Sequence, residues 1–450
     1  MIVLRKRLIF WLFKAYLKKL RKQIFFFFLI GLVFFFIFRL SFDFLASKII
    51  IEKKESIGIV GAYTLDNLPQ TILTDLSSGL TSISSDGTPV PNIAESWKIK
   101  DNGKTYLFNL KKNVYFSDGK NLTSDDLNYK FVDAQIKKPE KYTVEFKLKD
   151  VYAPFLVTVS KPIFRNNLVG VGNYKIKEIK LNGNFIQLMS LTSIKDHKTK
   201  IYQFYPTQIS LKTAFALGEV SKISGLSDVD FENISFYKYP NLDIQKKENL
   251  KILTTLFFNT QDPVISDKKL RNALAYALPD EFENGKKSYS LFSPNSWAYS
   301  LDYIRLQDIA HAENLISQSS VASKSASLKI EIKTLSKYKK TAQEISKAWE
   351  KVGVKAKIDI VDSIPSSFQT FLGDFYLPND PDQYTLWHSN QDNNITNYKS
   401  LRIDKLLEDG RKTIDLNTRK KIYLDFQKYL LDDTPASFLY FPYEYEVARK

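Results

Sequence analysis

The sequence predicts a mixed α/β protein behind an apolar N-terminal helix, and three observations predict it. Residues 328–332 alternate Leu-Lys-Ile-Glu-Ile as a half-buried strand does; Ala342, Ile345, Ala348, Trp349 and Val352 recur at helical spacing, and Val354, Ala356, Ile358 and Ile360 alternate again. Strand, helix and strand within about thirty residues make a βαβ unit, which implies parallel pairing and a right-handed crossover. Tyr106, Phe108 and Leu110 alternate in a second strand, and Ile24 to Phe38 is an unbroken apolar run.

That run covers only about 22 Å at about 1.5 Å per residue, short of a hydrocarbon core of roughly 30 Å. Continuing through Arg39, which can snorkel, gives a transmembrane span over 24–46. Arg5, Lys6, Arg7, Lys14, Lys18, Lys19, Arg21 and Lys22 precede it, so residues 1–23 are expected in the cytoplasm and the body outside. Cleavage after Ala46 would place Phe44, and after Ser47 would place Leu45, where a small residue is needed; an uncleaved signal anchor is therefore expected. The apolar residues 8–13 with Tyr16, Leu17 and Leu20 form either an interfacial helix on the inner leaflet or simply a long leading segment.

Within the body, Asp118-Gly119 predicts a turn after the first strand, and Thr123 with Asp126 a capping box opening a helix through Leu127 and Phe131. Ser266 precedes a helix carrying Leu270, Ala273, Leu274 and Ala277 on one face until Pro279 stops it. The Ser-rich stretch 317–327 reads as a linker, and Gly353 as the cap of the βαβ helix. No solenoid repeat is visible.

At 450 residues the chain is long enough for two or three domains, and 14% aromatic with 25% charged residues is a globular composition. The absence of cysteine excludes disulfides, thiolate metal sites and cysteine nucleophiles. Of the formal net charge of +16, residues 1–54 carry +10, so basicity is a terminal device and not a nucleic-acid surface. His197, His311 and His388 form no short-range ligand pair, His388 reads as a loop residue, and residues 170–173 lack the third glycine of a dinucleotide loop; no metal or cofactor is expected. Ser117 with Lys120, Ser336 with Lys339, and Ser293 with Asn295 match fragments of a transpeptidase pattern, but no Lys-Thr-Gly follows. No catalytic residue is assigned.

The stretch 380–398 mixes aromatic and amide side chains as a wet pocket does. Tyr384, Trp387 and Tyr398 offer flat faces, Asn390, Asn394 and Asn397 both donate and accept, Asp380 adds charge, and Trp297 is a further candidate wall. The plain alternative is a surface loop whose Trp387 plugs a gap.

The motifs themselves are specific. Residues 89–97 run Pro-Val-Pro-Asn-Ile-Ala-Glu-Ser-Trp, followed by Asp101-Asn-Gly-Lys-Thr-Tyr, Val114-Tyr-Phe-Ser-Asp-Gly and Leu122-Thr-Ser-Asp-Asp, with Gly172-Asn-Tyr, Phe257-Phe-Asn-Thr, Leu270-Arg-Asn-Ala and Trp349-Glu-Lys-Val-Gly in order. This resembles the family 5 extracytoplasmic solute-binding proteins, the dipeptide- and oligopeptide-binding group of ABC importers, over roughly residues 56–450. The resemblance implies a two-lobed fold of periplasmic-binding-protein type II with an extra small subdomain. It assigns 56–70, 166–248 and 432–450 to a discontinuous first lobe, 71–165 to a shortened subdomain, and 249–431 to the second lobe. It further implies ligand capture between lobes, a peptide or similar small solute, ABC permease subunits as partners, and a monomer. Trp387 would line a side-chain pocket, and the acid expected three residues on, to pair with a ligand ammonium, is Asn390. A tethered sensor or scaffold that has lost transport is the alternative from another class.

Overall fold

A long strand at the C-terminus, Ala436–Arg449, organises the body. In this computed structural model, which describes residues 2–48, 54–196, 198–321 and 328–450, the strand is shared by the two halves of a twelve-stranded mixed sheet. Residues 436–440 pair antiparallel with Ile252–Phe258, and residues 443–449 pair with Leu242–Glu248. The halves therefore meet along one continuous backbone, with the 248–252 connection beside it. His197 and the part 322–327 of the Ser-rich stretch lie outside the described residues.

The chain divides into two units, residues 1–54 with 196–199, and residues 55–195 with 200–450. The first contains the helices Ile2–Lys19 and Arg21–Lys48, with an apolar window at Arg21–Arg39 long enough to cross a membrane.

In the second unit, the half nearer the C-terminus holds the βαβ unit. Leu328–Leu335 and Val354–Val361 pair in parallel through eight residue pairs, and the helix Lys339–Glu350 between them buries Ala342, Ile345, Ala348 and Trp349. Trp349 is fully buried and its indole N–H donates to the Leu274 carbonyl at 3.0 Å, so the apolar stripe and its one polar atom are both accommodated. Gly353 turns the chain from the helix into the second strand at φ +78°, a conformation that glycine reaches without steric cost. The other half places Lys54–Val60 parallel to Lys222–Leu226, and the latter antiparallel to the C-terminal strand.

A separate four-stranded antiparallel sheet joins Ala94–Lys100, Thr105–Leu110, Thr143–Leu148 and Ala134–Glu140. Tyr106, Phe108, Val144 and Phe146 fill its core.

Two local expectations change. The Thr123–Asp126 capping box forms, with Thr123 N–H donating to Asp126 Oδ2 at 3.0 Å, but it opens only the single turn Ser124–Asp126. Leu127 is already extended at ψ 116°, because the following Asn-Tyr-Lys-Phe-Val run has poor helix propensity and the chain must reach the strand at Ala134. The helix expected after Ser266 is capped one residue later, by Asp267, which accepts from Lys269 N–H at 2.8 Å and Leu270 N–H at 3.3 Å.

Candidate functional site: a cleft at the shared strand

Where the two halves of the sheet meet, a cleft of about 700 Å³ opens. One wall comes from the 84–87 turn and from Ser224 and Gly225, the other from 292–296 and 377–383, and Lys247 to Lys251 with Glu444 to Glu446 form the base. The wall elements have clear local causes. Ser84 and Thr88 hydroxyls both donate to Asp86 Oδ1, at 2.5 and 2.7 Å, and these bonds hold the exposed Asp86 carboxyl down at about 2. The turn projects Gly87 at φ +82°, and a Cβ there would lie 3.1 Å from the Asn295 carbonyl, so the rims nearly touch.

At the base, Glu444 Oε2 accepts from the Asn249 amide at 2.9 Å and Glu446 pairs with Lys222 at 2.7 Å. Glu444 stands opposite Lys247 in the strand register. Carboxylates and ammonium groups thus face the same space, together with the amides of Asn295 and Asn379.

The loop 377–383 is held from behind. Asp380 is buried and receives two hydrogen bonds from the Arg419 guanidinium, at 2.8 and 2.5 Å, a charge-assisted pair that fixes the loop's direction. Burial lowers the Arg419 pKa, but the Asp380 bond and charge more than offset this and hold it above its ordinary value. Gln383 donates to the Leu291 carbonyl and accepts from the Trp387 indole at 2.9 Å, tying the two cleft-wall loops together.

The eight residues expected at the ligand fall elsewhere. Trp387 is 1% exposed, its ring between Phe375 and Phe438 at 5.7 and 6.1 Å, so the face offered to a ligand by the sequence reading is covered by the core. Asn394 is buried and donates to the Tyr398 carbonyl at 2.8 Å, and Tyr398 donates to Asp433. Asn390 is exposed, its backbone N–H on His388, and Asn397 at φ +54° bonds Asn259. Trp297 sits over Arg419 at 5.1 Å, beside the cleft-lining Asn295 and Ser296. Tyr384 stacks on His388 at 4.2 Å under the Arg411 guanidinium at 3.9 Å, lining a second groove of about 760 Å³ against Tyr152 and Phe155. None of the eight lines the cleft at the shared strand.

The cleft residues that sequence reasoning missed are Thr71, the 83–87 turn, Ser224, Gly225, residues 247–251, residues 377–379 and residues 444–446. Their one signal is Gly225 inside a strand pattern, where it sits at φ +77° at a register shift. Among the described residues no group of three His, Cys, Asp or Glu side chains could hold a metal.

The comparisons agree with this architecture. The oligopeptide-binding protein AppA of Bacillus subtilis is 25% identical over 84% of this chain and 83% of its own. The ABC transporter substrate-binding protein CtaP of Listeria monocytogenes superposes with a TM-score of 0.77 at 21% identity, over 88% of this chain and 94% of that one. NikZ of Campylobacter jejuni, solved with Ni(L-His), gives 0.71 at 22% identity over 88% and 94%. The model of the bacterial extracellular solute-binding proteins, family 5 Middle, matches residues 88–135 and 127–397, and the chain belongs to that family.

Proposed function

We propose that the protein captures short peptides or similar small solutes in the cleft at the shared strand and presents them to the permease of an ABC importer, working as a monomer. The observation that carries this is the cleft itself, about 700 Å³ with walls from both halves of one sheet and a base on the strand that joins them. A ligand touching both walls favours the closed arrangement by its differential affinity alone, and no bond need be made or broken. Peptides suit the chemistry because amides at Asn295 and Asn379 can meet a main chain, while Glu444, Lys247 and Lys251 can meet charged ends. The relatives' names point the same way, AppA of B. subtilis being an oligopeptide-binding protein.

The body lies outside the cytoplasm, as the family is extracellular. In this proposal the Arg21–Lys48 helix remains as a single-pass anchor, its basic leading segment inside. The small subdomain, residues 71–165 in the proposed division, supplies the 84–87 rim.

Native mass spectrometry of the protein purified from its cells, then incubated with a casein digest, tests the reading. Adducts of peptide mass that compete with one another are expected. A protein that shows only its own mass under both conditions would sink the peptide assignment.

A further inference from the structure

The helix Ile2–Lys19 combines a cluster of cations with an exposed apolar run. Between residues 1 and 22 the sequence places eight Lys or Arg and no Asp or Glu. Six consecutive apolar residues, 8–13, lie in the middle of that charge, and they are open: Phe10 is 68% and Trp11 74% exposed. The chain bends at Leu20 yet keeps its helical bonds, Leu20 N–H to Tyr16 O and Ile24 N–H to Leu20 O, both at 2.9 Å. The basic helix is thus joined without a break in hydrogen bonding to the apolar Arg21–Lys48 helix.

We propose that Ile2–Lys19 is a docking surface for anionic lipid headgroups, lying along the leaflet from which the apolar helix departs. The inference rests on the anchor being retained. The segment is too short to cross a bilayer, since six apolar residues rise only about 9 Å, and too apolar to be a simple polybasic tail. Cations at Lys14, Lys18 and Lys19 on one side of the run and at Arg5, Lys6 and Arg7 on the other leave an apolar centre that only an interface satisfies at both levels. A nucleic acid would neutralise the cations but leave Leu8, Phe10, Trp11 and Phe13 in water. Anionic lipid takes both, headgroup to charge and acyl boundary to ring.

The chain contains no cysteine, so one introduced cysteine is a unique spin-label site. The full-length Phe10→Cys protein is labelled, reconstituted into vesicles, and its accessibility to oxygen and to a nickel chelate is measured. In mixed phosphatidylglycerol and phosphatidylcholine vesicles the label is expected at the acyl boundary, open to oxygen and shielded from nickel. That shielding should be lost in pure phosphatidylcholine, and lost again in mixed vesicles when Lys14, Lys18 and Lys19 are changed to Gln. A label equally open to nickel in both vesicles, or equally shielded in both, would overturn the proposal. Intact-mass measurement of the protein extracted from native membranes separates the two claims. A species lacking the first 46 or 47 residues sinks the anchor and this surface with it, whereas a full-length species with a water-exposed label sinks the surface alone.

Discussion

Trp387 carries the chemistry of a pocket wall but packs in the core, away from the cleft at the shared strand. Its segment is rich in amides and rings, but its indole N–H is taken by Gln383 and its faces by Phe375 and Phe438. Removing a fully buried indole leaves a cavity as well as losing transfer energy, so Trp387→Ala should destabilise the fold by about 3–5 kcal/mol. Urea denaturation measures this, and peptide affinity of the remaining folded protein should change little. A stable variant with weakened binding would return Trp387 to the ligand. The sequence conveyed residue type correctly here but not direction. In a segment that is mostly turns, with only Tyr384–Trp387 helical, no periodicity tells which side chains point into the core. Within that stretch the cleft-lining residues are Pro381 and Gln383, near its start, where the Asp380–Arg419 pair fixes direction. Arg419 lies 39 residues further along the chain, on a helix that a reading of one segment cannot supply.

Elements were more legible where period and length agreed. The βαβ unit at 328–361 could be read because seven alternating apolar positions, a five-residue apolar stripe and a glycine at the end of the helix all say the same thing. Trp349→Ala in that helix should cost about 3–5 kcal/mol in chemical denaturation, and a loss under about 1 kcal/mol would mean its stripe is not packed as described. The helix Lys268–Tyr276 depends instead on its cap. Burial raises the pKa of Asp267, but bonds from Ser319 and the Leu270, Lys269 and Ser320 N–H groups outweigh this and hold it below its ordinary value. A carboxyl depressed in the folded state stabilises above its unfolded pKa, and that contribution is lost as pH falls through the folded value. Asp267→Ala should therefore cost about 1–2 kcal/mol at neutral pH. The gap to wild type should narrow in melts taken below about pH 4; a gap independent of pH would mean the carboxylate charge is irrelevant to the cap. The helix expected after Thr123 failed for the complementary reason: the box was correct, but nothing after it favoured propagation.

At the scale of the whole molecule, the fold was accessible because ordered motifs spread over most of the chain, whereas the cleft was not, because its base is built from strands two hundred residues apart. Glu444 and Lys247 become neighbours only when Ala436–Arg449 pairs with Leu242–Glu248, and no local pattern encodes that meeting. The cleft can be tested as a unit by filling it. Asn379 lies exposed on the cleft wall, outside the buried Asp380–Arg419 pair, so a large side chain there should occupy ligand space without disturbing the core. A ligand that binds only the folded state raises stability by about 2.7 kcal/mol at a hundredfold excess over its dissociation constant. Wild type should show a corresponding rise in melting temperature with a peptide from the casein digest. Asn379→Trp should melt as wild type does without peptide and show no rise with it. If the variant keeps the full shift, solute binds elsewhere, and the groove lined by Tyr384, Tyr152 and Phe155 becomes the place to look; if it melts early without peptide, Asn379 supports the loop, and Ser296→Trp on the same wall provides the independent measurement.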